Sequence, residues 1–101
     1  MPDTRDQFAL LLYEPASFDT TLGHERLAVE YRAWAGSLGA DFVGGEALGD
    51  ARVLGGDAPT AEPTGFFMVR ASSYDEAVAL ARDCPHLKYG GVVSVRTVPA
   101  T

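Results

Sequence analysis

His86 stands in the block Asp83-Cys84-Pro85-His86-Leu87-Lys88-Tyr89-Gly90-Gly91. An imidazole is the side chain best suited to move a proton near neutral pH, which makes His86 the first candidate for general acid–base work. Asp83, three residues earlier, would be the group to orient it. The competing reading is a histidine that bonds a backbone carbonyl and shapes its loop, next to a solvated acid at a helix end. Arg96 and Tyr89 together suit an organic carboxylate or phenolate; a salt bridge across a dimer, or an exposed edge, is their structural alternative. Glu46 follows the pair Gly44-Gly45 and is a further acid or base, or else an ion-pair partner of Arg52 or Arg96. Ser94, two residues before Arg96, shares its face if the segment is a strand. None of this chemistry requires a cofactor.

The remaining reactive residues carry less. His24 lies beside Glu25 in what reads as a first helical turn and is expected at the surface. With His86 it makes at most half a metal site, and no ligand spacing completes one, so no metal is expected. Cys84 is the only cysteine and has no Cys-x-x-Cys partner; it reads as a small hydrophobe buried at a helix end. Gly44-Gly45 and Gly55-Gly56 open no helix and match no phosphate-loop spacing.

These residues are positioned by a simple succession of elements. Gln7 to Tyr13 is apolar without alternation and predicts a strand buried on both faces. Leu27, Tyr31, Trp34 and Leu38 recur at helical spacing and predict a helix from about Leu22 to Leu38, with Trp34 in the core and Gly39 as its stop. Asp41 to Leu48 reads as extended but irregular, continued by Ala51-Arg52-Val53-Leu54 as the second strand, with a bulge at the glycine pair. Residues 55–64 form a loop. Gly65 to Ala71 is the third strand. Ser73 and Glu76 form a capping box for a second helix, whose inner stripe is Tyr74, Ala77, Val78 and Ala81. Asp83, Cys84 and Pro85 end that helix, a loop carries His86, and Val92 to Val98 is the fourth strand.

The order β-α-β-β-α-β predicts an α+β domain of ferredoxin-like topology spanning residues 1–101, with residues 1–6 flexible. Its four-stranded antiparallel sheet, ordered 4-1-3-2, carries both helices on one face. Strands one and three are then greasy on a face that the helices cannot cover. At roughly 25 cal/mol per Å², leaving three or four large apolar side chains wet forfeits about 5–8 kcal/mol, comparable with the whole stability of a small domain. A second copy packed sheet to sheet is the expected remedy, so a homodimer enclosing a partly apolar cleft is predicted. If Val93 and Val95 meet the helices, Ser94 and Arg96 look into that cleft.

Composition excludes several functions. Fourteen acids against eight bases give the 101-residue chain a net charge of −6, which disfavours nucleic acid and anionic membrane surfaces alike. The first residues lack the basic-then-apolar order of a signal peptide, no apolar run has transmembrane length, and one cysteine forms no internal disulfide. A cytoplasmic location is the expectation.

The run from Tyr74-Asp75-Glu76-Ala77 through Cys84-Pro85-His86-Leu87-Lys88-Tyr89-Gly90-Gly91 into Val93-Ser94-Val95-Arg96 closely resembles the C-terminal half of YCII-related proteins, the group that includes the DGPF-domain proteins. Leu10-Leu11-Leu12-Tyr13, Trp34 and Gly44-Gly45-Glu46-Ala47-Leu48 extend the resemblance over the first half. It implies a dimeric α+β barrel. Most members have no assigned activity, and a few perform dehydrochlorination-type chemistry on ring compounds, for which a His-Asp dyad has been proposed. That dyad does not carry over. Ala28 stands where the smaller catalytic members place a helix-one histidine, and Cys84, next to Asp83, stands where they place the acid. The Asp-Gly-Pro-Phe signature is replaced by Asp57-Ala58-Pro59-Thr60-Ala61-Glu62.

Two functions follow as expectations. In one, the cleft binds a small, aromatic or lactone-like acid and transfers a proton, with His86 as acid or base, Arg96 as anion anchor, and Tyr89 or Glu46 as polar partner. In the other, the protein is a non-catalytic dimeric module that binds a metabolite or a protein. His86 open to a pocket beside a carboxylate favours the first; His86 bonded only to backbone favours the second.

Overall fold

Every strand of the domain is antiparallel to its neighbours, and the strand with the most apolar sequence lies inside the sheet. The computed structural model describes residues 5–19, 21, 23–57 and 60–99. The elements are β1 (Asp6–Tyr13), α1 (His24–Leu38), a 3₁₀ turn (Gly39–Asp41), β2 (Phe42–Ala47), β3 (Gly65–Ala71), α2 (Tyr74–Arg82), α3 (Pro85–Lys88) and β4 (Val92–Val98). The sheet order is β2-β3-β1-β4. The result is a small α+β domain, compatible with the ferredoxin-like arrangement.

Pairing register sorts the strand residues into two faces. Phe8, Leu10 and Leu12 of β1 lie opposite Val69, Phe67 and Gly65 of β3, and opposite Thr97, Val95 and Val93 of β4. This is the face the helices cover. Phe8, Leu10, Leu12 and Val69 are all buried, Trp34 and Tyr31 of α1 pack on Phe67, and Tyr74 of α2 meets Phe8 edge-on. On the other face Glu46, Phe66, Leu11 and Ser94 form one row across the sheet, and Gly44, Met68, Ala9 and Arg96 the next. Phe66, Leu11, Met68 and Ala9 are partly exposed. The molecule is only 20 Å deep along its short axis, the depth of one sheet and one helical layer.

Local chemistry explains the element ends. Gly39 follows α1 at φ +57°, where a side chain would be strained. Ser73 accepts a 3.1 Å hydrogen bond from the Glu76 amide and caps α2. Ala77 and Ala81 are buried; their small side chains bring α2 close enough for the Trp34 indole to donate to the Leu80 carbonyl at 3.3 Å. Tyr74, expected on the inner stripe, is half exposed, with its hydroxyl bonded to the Val95 carbonyl.

Three expectations are corrected. The second strand stops at Ala47, and residues 51–54 are exposed and irregular; Ala47 pairs with Gly65, where β3 begins, so β3 extends no further alongside them. The segment after α2 is one turn of helix, α3, with Pro85 at its first position, where a fixed φ and a missing N–H are both tolerated. Order also begins earlier than residue 7. Arg5 forms an ion pair with Asp41, and Asp6 opens β1; residues 1–4 of the expected flexible terminus lie outside the described residues, as do Leu22, where α1 was expected to start, and the His24 side chain.

Candidate functional site

On the helix-covered side of the sheet, three positions near the paired ends of β2 and β3 carry almost no side chain: Gly45, Ala47 and Gly65. Gly45 lies opposite Phe67, and Ala47 opposite Gly65. Their smallness leaves space beneath the first half of α1. A cavity of about 640 Å³ fills it, lined by Leu12, Phe18, Leu27, Ala28, Phe66 and Phe67, with Tyr31, His86, Thr64, Glu14, Arg32 and Glu46 as its polar members. That is the size of a small-molecule site. Gly45 cannot take a side chain without displacing its neighbours, since a Cβ there would stand 2.4 Å from the Phe66 carbonyl oxygen and 2.6 Å from the Phe67 ring.

His86 sits in the wall of this cavity and is only 2% exposed. Pro85 starts α3 so that His86, the next residue, turns inward. Gly91 then passes against the ring, its amide bonded to the His86 carbonyl at 2.9 Å, and Phe18 lies over the ring with centroids 4.9 Å apart. Both ring nitrogens have partners. Nε2 is 2.7 Å from the Tyr13 carbonyl oxygen, and Nδ1 is 2.9 Å from the Tyr31 hydroxyl. A carbonyl only accepts, so Nε2 carries the hydrogen; in the neutral ring Nδ1 then accepts, and Tyr31 donates to it. Burial, with lesser contributions from neighbouring acidic groups, pushes the Tyr31 phenol up to about 12.

The other expected site residues scatter. Asp83 is exposed at the end of α2, beside a shallow groove with Cys84, Pro85 and Lys88. It does not orient His86, whose nitrogens are held by Tyr31 and Tyr13. Tyr89 is turned to α1, where its hydroxyl donates to the Glu30 carboxylate; Lys88 bonds the same carboxylate at 2.9 Å. The Tyr89 hydrogen bond, followed by that of Lys88, holds Glu30 below the usual carboxylate range. Ser94 and Arg96 do share the uncovered face, where the Ser94 hydroxyl oxygen is buried without a partner. The sheet separates them from His86. Glu46 belongs to that face by register and also borders the cavity. The space enclosed by the single chain therefore lies on the side of the sheet opposite the expected inter-sheet cleft. Cys84 is buried, and burial pushes its thiol up to about 11.

Tyr31 and Arg32 were not singled out as site residues by the sequence. The available signal was a tyrosine on an apolar helical stripe, since a buried phenol normally finds a hydrogen-bond partner. Arg32 is exposed, lines the cavity and makes no ion pair among the described residues. Among the described residues no cluster of His, Cys, Asp or Glu suits a metal ion, and no helix is long and apolar enough to cross a membrane. No protein-family model matches the chain, and no curated protein matches it either.

Proposed function

We propose that this chain is a YCII-related homodimer that binds a small organic acid in the cavity beneath α1 and carries out proton transfer on it. The observation that carries the reading is the Tyr31–His86 hydrogen bond in the wall of an otherwise mainly apolar cavity. Apolar walls take up the body of such a molecule, and a small number of polar groups orient it. Arg32 is the cation among the lining residues and the group that would pair with a carboxylate. The dimer is proposed from the uncovered face carrying Phe66, Leu11, Met68 and Ala9, which a second sheet would shelter to form the dimeric α+β barrel.

A thermal-shift series of small aromatic and aliphatic carboxylic acids, each beside its neutral amide, tests the reading. A ligand that binds only the folded state raises Tm by mass action. The acids are expected to raise Tm more than their amides, Arg32→Gln is expected to erase that difference, and Ala28→Trp, which fills the cavity, is expected to abolish both shifts. An unchanged response in Ala28→Trp contradicts the site.

A second reading, a module that binds without turnover, is favoured by one observation: His86 is bonded to a backbone carbonyl and a phenol, and no carboxylate bonds either nitrogen.

A further inference from the structure

The proton on Tyr31 is the informative atom. The Tyr13 carbonyl claims the Nε2 hydrogen of His86 at 2.7 Å, which leaves Nδ1 to accept from the Tyr31 hydroxyl at 2.9 Å. With its hydrogen so directed, the phenol oxygen has only lone pairs to offer a molecule in the cavity. The group that meets it must be a donor: a hydroxyl, an N–H, or an acidic C–H beside a carbonyl. We infer that Tyr31 is the catalytic residue that exchanges this proton and that His86 is the positioning residue that stores the proton behind it. The inference rests on the proposed small-acid cavity and specifies its chemistry.

The step balances without an oxidant or a cofactor. The substrate's C–H bond breaks and its proton bonds to Tyr31 Oη. In the same event the Tyr31 O–H bond breaks and that proton passes to His86 Nδ1. The electron pair of the broken C–H bond remains on the substrate as an enolate. His86 becomes an imidazolium that keeps its Nε2–H on the Tyr13 carbonyl and donates Nδ1–H to Tyr31. Return of the proton along the same path to another atom of the substrate gives its tautomer. Burial of Tyr31, which raises the phenol to about 12, disfavours a free phenolate as base; handing its proton on as it receives another avoids that species. The substrate class is an enolisable 2-oxo acid with an apolar tail, the tail under α1 and the carboxylate paired with Arg32.

Phenylpyruvate has this form and serves as the probe. Saturation-transfer NMR reads its binding, and exchange of its methylene protons for solvent deuterium reads the proton transfer. The wild-type protein is expected to bind it and to accelerate exchange over buffer. Tyr31→Phe, which keeps the ring, is expected to retain binding and to lose at least about 100-fold in exchange rate, the usual scale of general acid–base catalysis. His86→Gln keeps an acceptor and a donor but cannot store the proton, and is expected to show the same loss. The ¹⁵N spectrum of the ligand-free wild type is expected to show Nε2 protonated and Nδ1 bare; the opposite tautomer overturns the inference. Exchange at the wild-type rate in either variant also overturns it. Binding without exchange in the wild type overturns the relay and leaves the binding reading standing. Failure of phenylpyruvate and its ring-substituted and aliphatic 2-oxo-acid analogues to bind at all overturns both.

Discussion

The Tyr31 hydroxyl lies 2.9 Å from Nδ1 of His86, across 55 residues of sequence, and joins α1 to the turn that precedes the last strand. That bond ties the helix over the cavity to the chain segment forming the cavity's wall. It also fixes which nitrogen of a buried imidazole is bare. Structure and proposed chemistry therefore share one contact, and mutations there should affect stability before any ligand is added.

Tyr31→Phe removes the donor and leaves Nδ1 of a nearly fully buried ring unpaired. A lost hydrogen bond with an orphaned partner costs about 1–2 kcal/mol. Urea unfolding is expected to show the unfolding free energy lowered by that amount, as a lower midpoint with an unchanged slope. An unchanged midpoint would mean that the contact is not made in solution.

Gly91→Ala tests how tightly the histidine is held. A Cβ at this position would stand 2.2 Å from His86 Cδ2 and 2.6 Å from the His86 carbonyl oxygen. Neither ring nor backbone can retreat far, and a loss of about 2–4 kcal/mol is expected in chemical unfolding, typical of overpacking a buried site. Gly49→Ala is the control. Nothing lies within 4 Å of a Cβ there, so its unfolding free energy should stay within about 0.5 kcal/mol of wild type.

Alkaline pH should weaken the fold in two stages. The folded Cys84 thiol is raised from 9.0 to about 11, chiefly by burial. The folded state therefore keeps its proton where the unfolded chain has released it. The stability this represents is complete below pH 9 and disappears as pH climbs toward 11; for a group 2% exposed it is on the order of 2–3 kcal/mol. Tyr31, raised from 10.0 to about 12, adds a smaller decline between those values because the residue is only half-buried. Cys84→Ala should flatten the decline between pH 9 and 11 in unfolding curves taken at half-unit steps. An equal decline in that variant contradicts the assignment.

How much of this the sequence disclosed depends on the range of the interaction. Local signals were legible. Ser73 and Glu76 announced the start of α2, Gly39 the end of α1, Ala77 and Ala81 the close approach of helix to sheet, and the glycine pair the β2 irregularity between Phe42 and Gly44. The face assignment of β4 was legible too, because Val93 and Val95 alternate with Ser94 and Arg96. β1 hid its alternation, since Ala9 and Leu11 on the open face are as apolar as Leu10 and Leu12 on the covered one. Residues 51–54 read as strand because Val53 and Leu54 suit one, but whether a strand forms depends on a partner edge that sequence does not show. The cavity was invisible for a related reason. It is made by absent side chains at Gly45, Ala47 and Gly65, brought together by register, and glycine in sequence reads first as turn or bulge. Helical spacing placed Tyr31 on the inner face of α1 but could not pair its hydroxyl with His86.

The proposed dimer has its own test. Met68 lies in the middle of the uncovered face, between Gly44 of β2 and Ala9 of β1. Met68→Glu places a charge where a second sheet would pack, and no described helix covers that face. Sedimentation is expected to show a wild-type dimer at micromolar concentration and a folded monomer for the variant. A wild-type monomer contradicts the sheet-to-sheet assembly; it leaves the cavity of the single chain untouched.

Backbone amide shift mapping during titration with phenylpyruvate locates the bound molecule without mutating the protein. The largest shifts are expected on Leu27, Ala28, Tyr31, Gly45, Gly65 and His86, around the space under α1, while Ala9, Met68 and Arg96 on the opposite sheet face move little. Shifts concentrated on Ala9, Met68, Ser94 and Arg96, with the α1 residues unmoved, would seat the ligand on the other side of the sheet and contradict the cavity under α1 as its site.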